Sequence, residues 1–263
     1  MSIVNQHPDG INPFAVSLVS TDCMTTSGVA HRALEENGHN DVLLKYMEDA
    51  LQKHHISPDA LQRHMDLITS LKIANLPTLR SPYPQTLTTQ KGNFAEVFLA
   101  EYLSSTTDAQ LPIYRLRYNT NPDQSMKGDD VLLFDLDSDP VRIIVGESKF
   151  RGVPDKQAVI DIVDGLVRSN KAGLPVSLMF VADRLFQEGK PELGQKVQNC
   201  AVLFATNKLH IDYVGLLMSD RNTKTHVNKH TDNKLRNLLM VSLGMQDPQT
   251  IVKHAFEELE NNL

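Results

Sequence analysis

Asp129, Asp130, Glu147 and Lys149 stand at the outer ends of two apolar runs in the stretch KGDDVLLFDLDSDPVRIIVGESKFRG, residues 127–152. Carboxylates gathered beside a lysine can hold a hard divalent cation, and an ion held that way activates water for phosphodiester hydrolysis. The chain itself supplies a way to gather them. Asp, Ser and Pro in DSDP are turn formers, which suits a tight reversal between two strands. With the reversal centred between Ser138 and Asp139, Leu136 faces Val141. Six steps outward, Asp130 faces Glu147, with Cβ atoms roughly 4.5–5.5 Å apart. The period of two places Val141, Ile143, Val145, Glu147 and Lys149 on one face. The apolar members mark that face as the inward one, so Glu147 and Lys149 continue a buried row. Like charges facing each other across a ladder repel. Oxygen ligation of Mg²⁺ or Mn²⁺ removes that objection, and the peptide carbonyl of Ser148 is a further oxygen within reach.

A third acid comes from the segment NFAEVFLAEYL, residues 93–103, which is apolar on nearly every side of a helix and therefore reads as buried. Glu96 has Leu99, Ala100 and Leu103 at i+3, i+4 and i+7, and a carboxylate on such a face is costly to bury without a partner. Glu101 has similar surroundings and is the alternative to Glu96. Asp129 is likewise the alternative to Asp130, although the register favours Asp130. Lys149 is suited to orient or deprotonate a water, or to steady a pentavalent phosphate. A Glu-x-Lys on a strand is, taken alone, far more often an edge ion pair than a catalytic element.

The elements that must position these groups follow from pattern. Residues 14–20 read as a strand, 29–37 and 40–54 as helices. Ser57-Pro58 opens another helix, with Ser as N-cap and Pro at the first position. Residues 76–86, with three prolines, read as a connector and a candidate boundary. It divides a mainly helical N-terminal region, 1–86, from a second unit, 87–263. In that unit PIYRLRY, 112–118, alternates as a strand does, with Arg115 and Arg117 on one side. Strands follow over 130–136 and 141–149, then an amphipathic helix over 154–169. The unbroken apolar run 175–182 reads as a strand buried on both faces. Residues 200–206 and 210–218 read as strands, and 231–243 and 248–261 as C-terminal helices.

The chain has 263 residues and a net charge of −6, so no overall basic character draws it to nucleic acid or membrane. Any attraction to nucleic acid must come from a local patch or a partner. The stretch 223–237, with Lys224, Lys229, Lys234 and Arg236, is a candidate for tracking a phosphate backbone or an ordinary solvated loop. The two cysteines, Cys23 and Cys200, have no metal-site spacing and read as small apolar residues. His54, His55 and His64, and the pair His226 and His230, lack an HExxH context and read as surface residues. Lys127 and Gln157 read as solvated. A nucleotide-binding P-loop and a serine-hydrolase elbow are both missing. With no signal peptide and no apolar run of membrane length, the chain is expected in the cytoplasm.

The order and spacing of these motifs resemble the PD-(D/E)xK nuclease superfamily. Its core, αβββαβ, carries an acid on the first helix, an Asp on the second strand and (D/E)xK on the third. Gly128-Asp129-Asp130 resembles its G-x-D element, Glu147-Ser148-Lys149 its E-x-K, and Glu96 its helix acid. The resemblance covers about 92–182 and implies a restriction-endonuclease-like fold and a Mg²⁺-dependent deoxyribonuclease. It also implies catalytic Glu96, Asp130, Glu147 and Lys149, and an ion held by Asp130, Glu147, Glu96 and the Ser148 carbonyl. KGNFAEVFLAEYL, GDDVLLFD and GESKFRG further resemble the HamA family, nuclease subunits of Hachiman anti-phage systems. That likeness implies a defence effector acting on DNA and restrained by a helicase partner, HamB. Residues 1–86 would then help to bind the partner. The rival expectations are a non-catalytic nuclease-like interaction module and a stand-alone restriction-type endonuclease.

Overall fold

The apolar strands of this chain line up in one sheet with helices on both faces. The computed structural model describes residues 3–73 and 80–263. Among these the elements are α1 (Pro13–Ser17), β1 (Leu18–Met24), β2 (Ala30–Glu36), α2 (Asn40–His55), α3 (Pro58–Ile73) and α4 (Leu87–Thr106). A 3₁₀ turn at Arg115–Tyr118 precedes β3 (Val131–Asp135), β4 (Val141–Phe150), α5 (Lys156–Ala172), α6 (Leu178–Gln187) and α7 (Pro191–Ala205). The chain ends with β5 (Leu209–Ser219), α8 (Thr223–His230), β6 (Leu238–Gly244) and α9 (Pro248–Asn261). The strand order is β1-β2-β6-β5-β4-β3. Both outer pairs are antiparallel, while β2, β6, β5 and β4 run parallel. Parallel neighbours require crossovers, and the helices between β4 and β5 and between β5 and β6 supply them.

Alternation along the strands builds two cores. Ile144, Val214, Leu216, Met218, Leu239 and Val241 face α4, α2 and α9. Ile143, Val145, Tyr213, Leu217, Leu238 and Met240 face α5, α6 and α7. Helix α4 is apolar all round, as expected for a buried helix. Phe94, Val97, Phe98, Leu99, Tyr102 and Leu103 are each at most 1% exposed. Each such side chain contributes roughly 1.5–3 kcal/mol by leaving water. Gly146 is what lets α4 approach β4 so closely: a Cβ there would lie 2.8 Å from Val131 Cβ and 2.9 Å from Leu99 Cδ2. Asp155 caps α5 by accepting from Ala158 N at 2.7 Å.

Several elements depart from the pattern-based reading. Residues 29–37 form a strand, β2, although Ala, Leu, Glu and Arg favour a helix. Pairing with β1 and β6 on both sides overrides that propensity. Residues 14–20 split between the short α1 and the start of β1. The run 175–182 belongs largely to helix α6, whose buried residues Leu178, Val181, Ala182 and Leu185 follow the helical i, i+3, i+4, i+7 spacing. Residues 200–206 end helix α7 rather than forming a strand. The 231–243 segment carries strand β6, not a helix, and α8 precedes it. Residues 112–118 are not a strand. Ahead of the 3₁₀ turn this segment meets β3 in an isolated bridge, where Gln110 exchanges both backbone bonds with Phe134 at 2.9 Å.

The helices over 40–54, from Ser57-Pro58 and over 248–261 form as expected, as do the strands over 210–218, 130–136 and 141–149. The connector at 76–86 lies outside the described residues at 76–79, and 80–86 carry neither helix nor strand. The sheet draws strands from both sides of that connector, since β2 is in parallel register with β6 from Ala30↔Leu239 to Glu35↔Gly244.

Candidate active site

Strands β3 and β4 pair with the register expected from DSDP. Val131 faces Gly146 and Asp135 faces Arg142, so one step beyond the ladder Asp130 stands opposite Glu147. Glu147 and Lys149 extend the row of Ile143 and Val145 toward α5. Gly165 makes room for the carboxylate there, because a Cβ on it would lie 3.0 Å from Glu147 Cδ. Asp130 Oδ2 accepts from the backbone N–H of Ser148 at 2.9 Å and from its hydroxyl at 3.1 Å. Those bonds tie the start of β3 to the end of β4. Lys149 Nζ donates to Glu147 Oε1 and, at 3.1 Å, to the Ser148 carbonyl.

The helix acid joins this group through a residue that pattern reading missed. Arg115 Nε donates to Glu96 Oε1 at 2.6 Å and Nη2 to Glu96 Oε2 at 3.0 Å, a two-pronged guanidinium–carboxylate pair. Nη2 also lies 3.7 Å from Asp130 Oδ1, and Nη1 donates to the Asp129 carbonyl at 2.5 Å. Arg115 reaches this position because the chain turns in a 3₁₀ coil there. As part of a strand it would have shared a face with Arg117, whose Nε instead donates to the Lys53 carbonyl at 2.8 Å.

Asp129 and Asp130 are neighbours with different jobs. Asp129 is 7% exposed and both its carboxylate oxygens are taken. Oδ1 accepts from Ser169 Oγ at 2.9 Å and Oδ2 from Ser177 N at 3.0 Å, while its own N–H donates to Ser177 Oγ at 3.0 Å. Asp129 therefore staples the entry of β3 to α5 and to the start of α6. Gly128 allows that contact. Its φ is +118°, and a Cβ would lie 2.6 Å from Ser177 Oγ. Asp130 points the other way, into the acidic group.

Glu101 also has its own partners. It accepts from Tyr46 OH at 2.6 Å and pairs with His54 Nε2 at 2.8 Å. Both donors come from α2, so Glu101 fastens α2 to α4. His54 and His55 are buried, at 3% and 7% exposure, and not surface residues. His55 is held by the Leu51 carbonyl and by Asn93, at 2.8 and 2.9 Å. His226 and His230 lie with ring centroids 5.8 Å apart on α8. Lys127 and Gln157 are exposed. Cys200 is buried, whereas Cys23 is half-buried with Sγ 3.5 Å from His31 Nδ1.

Charge and burial make the acidic group unusual. Burial first, and then the neighbouring charges of Asp130 and Glu147, push Glu96 up to about 7 against the pull of Arg115. Burial and then Asp130 push Glu147 up to about 7, against the pull of Lys149 and Arg168. Asp130 thus acts on both Glu96 and Glu147. A slot of about 30 Å³ lined by Glu96, Arg115, Asp129, Asp130 and His54 lies beside them, large enough for a water.

The donors in this group are carboxylates and a backbone carbonyl, all hard oxygens suited to Mg²⁺ or Mn²⁺. Glu147 and Asp130 each keep a carboxylate oxygen that no hydrogen bond occupies among the described residues. Both Glu96 oxygens are engaged by Arg115. Among the described residues no three His, Cys, Asp or Glu side chains are grouped to hold a metal ion as they stand. Arg115 and Lys149 pair with the acids instead. Also among the described residues, no helix is long and apolar enough to cross a membrane.

The HamA family model matches residues 18–259 of this chain. The Hachiman protein HamA of Bacillus cereus is 35% identical over 265 residues, which span 99% of this chain and 95% of that protein. The chain belongs to the HamA family.

Proposed function

We propose that this chain is a metal-dependent DNA nuclease of the PD-(D/E)xK type and the effector of a Hachiman anti-phage defence complex. The observation that carries the reading is the placement of Asp130 opposite Glu147 and Lys149 at one end of the β3–β4 pair, with Arg115 bridging Asp130 to Glu96. The order of elements supports it. Helix α4, the single bridge at Gln110, β3, β4, α5 and the parallel strand β5 follow the αβββαβ sequence, with a much-reduced first strand. The last strand of that core is then β5, beyond the two extra helices α6 and α7, and not the run at 175–182.

Asp130, Glu147 and the Ser148 carbonyl would hold Mg²⁺ or Mn²⁺, with Glu96 joining when Arg115 lets it go. The bound ion supplies a water of lowered pKa and takes charge from the phosphate oxygens. Lys149, already within hydrogen-bond distance of the Ser148 carbonyl, would orient that water, accept its proton or steady the phosphate. The backbone and hydroxyl of Ser148 keep Asp130 aimed into the site. A helicase partner, HamB-like, would deliver the acidic chain to DNA and restrain it.

The test is plasmid degradation in Mg²⁺, by the chain alone and with its helicase partner, using Glu147→Ala and Lys149→Ala. Each variant is expected to lose about 10²–10³-fold of the cutting rate. Undiminished cutting in both would remove the site assignment. A non-catalytic interaction module is the second reading, favoured by the pairing of Glu96 with Arg115 and of Glu147 with Lys149. It prevails if the wild-type chain cuts under no metal or partner condition.

A further inference from the structure

We infer that Arg115 is a positioning residue that occupies the acidic site as a resident cation and competes with the divalent ion for it. The inference rests on the metal-dependent reading above. Four contacts carry it. The guanidinium takes both oxygens of Glu96, at 2.6 and 3.0 Å. It lies 3.7 Å from the outward oxygen of Asp130 and donates to the Asp129 carbonyl at 2.5 Å. The side chain of Arg115 is only 13% exposed, so it is built into the site and not draped over it.

Three converging carboxylates in a half-buried site need a positive charge whether or not a metal is present. Arg115 supplies one from within the chain. The same Glu96 oxygens cannot serve a guanidinium and a divalent ion together, and two cations in contact repel strongly where the dielectric is low. Binding of the ion with Glu96 as ligand therefore requires Arg115 to release that carboxylate. The released guanidinium has an anionic group to turn to, since a phosphodiester offers the same two-oxygen geometry as a carboxylate. Arg115 sits on a single 3₁₀ turn between irregular segments, not inside a helix or strand. Its swing thus breaks none of the sheet's hydrogen bonds.

A purely supporting Arg115, one that holds Glu96 in place for the metal, makes the opposite demand. Removing it would then weaken metal binding. Calorimetric titration of the full chain with Mn²⁺ and with Ca²⁺ separates the two. Arg115→Gln is expected to bind either ion roughly tenfold to a hundredfold more tightly than wild type. Arg115→Lys, which keeps the charge but not the two-pronged grip, should fall between them. Asp130→Asn and Glu147→Gln should abolish binding in each background.

Weaker or unchanged binding by Arg115→Gln, with wild type binding normally, overturns the competition. Absence of binding in both wild type and Arg115→Gln overturns the metal-dependent reading and the competition with it. If Arg115→Gln does not fold, the wild-type chain still gives an answer. The ¹⁵Nε–H resonance of Arg115 is expected to shift and sharpen toward a solvated arginine as Ca²⁺ is added. A resonance that stays put through saturation overturns the inference.

Discussion

Helix α4 carries two acids five residues apart, Glu96 buried and Glu101 half-buried, and they live in opposite electrostatic worlds. Glu101 meets donors only: His54 and Tyr46 from α2. Burial alone would raise its pKa, but the hydrogen bonds from His54 and Tyr46 outweigh burial and hold it below the ordinary value. Glu96 meets a donor too, Arg115, which makes both of its bonds from one guanidinium, at 2.6 and 3.0 Å. Its pKa nevertheless goes up to about 7, because it is buried and two further carboxylates lie near. The difference separates, on one helix, an acid held by donors from an acid that fits the proposed site. A structural acid is surrounded by groups that want it charged. A site acid is crowded by other acids, an arrangement that folding alone gives no reason to keep.

The largest expected effect comes from exchanging each acid for its amide. Glu96→Gln should lower metal-dependent DNA cutting by about 10²-fold while leaving Tm within a few degrees of wild type. Glu101→Gln should do the reverse. It is expected to cost about 1–3 kcal/mol of stability, because Tyr46 and His54 lose a charged acceptor. Cutting at a temperature where it is folded should stay within about twofold of wild type. Equal loss of activity in both variants would erase the distinction between the two acids.

The same contrast recurs at the paired aspartates, with a smaller separation. Asp129→Asn keeps the volume but puts an amide NH₂ against Ser169 or the Ser177 N–H, both of which donate to it now. The expected cost is about 1–3 kcal/mol, read as a lower urea midpoint with unchanged m-value. Asp130→Asn should leave the midpoint nearly unchanged and remove the stabilisation that added Mn²⁺ gives the wild type. If instead Asp129→Asn removes the metal effect, the roles of these neighbours are reversed.

How much of this was legible in the chain depends on how local the cause is. The β3–β4 register was legible because turn chemistry and strict alternation are both local, and both pointed to Asp130 opposite Glu147. Helix α4 was legible because its apolar residues run all the way round. The choice between Glu96 and Glu101 was not, since their helical neighbours are alike and only residues far away in sequence tell them apart. Arg115 was hidden for the same reason. Its alternation with Leu116 and Arg117 imitates a strand, and nothing nearby marks the 3₁₀ turn that delivers it to Glu96. Strand β2 was misread because its composition favours a helix, and only β1 and β6 on its flanks hold it extended. The apolar run at 175–182 was misread because its helical period becomes visible only when Leu185 is included.

The smallest expected effect is the sharpest check on the two acidic sites, because burial and partners give their neighbours different signs. At the proposed site, Glu96 and Glu147 go from an ordinary 4.5 up to about 7. A raised carboxyl holds its proton longer in the folded chain than in the unfolded one. Its stabilising contribution is complete below about pH 4.5 and is lost as pH rises toward about 7. At the α2–α4 tie the shifts run downward. Glu101 is lowered by its hydrogen bonds despite burial, and His54 is lowered by burial despite its bond to Glu101. A lowered carboxyl and a lowered imidazole both favour the folded state at high pH, and both contributions fade as pH falls. Thermal melts in chelator from about pH 3 to about pH 7.5 should therefore separate the two groups, one changing above pH 4.5 and the other below it. Relative to Glu147→Gln, wild type should lose ground as pH rises, the difference levelling off above about 7. Relative to Glu101→Gln, wild type should hold its advantage down to about pH 4.5 and lose it as pH falls further, where Glu101 takes up its proton. Saturating Mn²⁺ should flatten the first trend, since an ion bound to the carboxylates displaces the proton, and should leave the second untouched. Parallel trends for the two variants would mean that the acids share one environment, and that the division drawn along α4 does not exist.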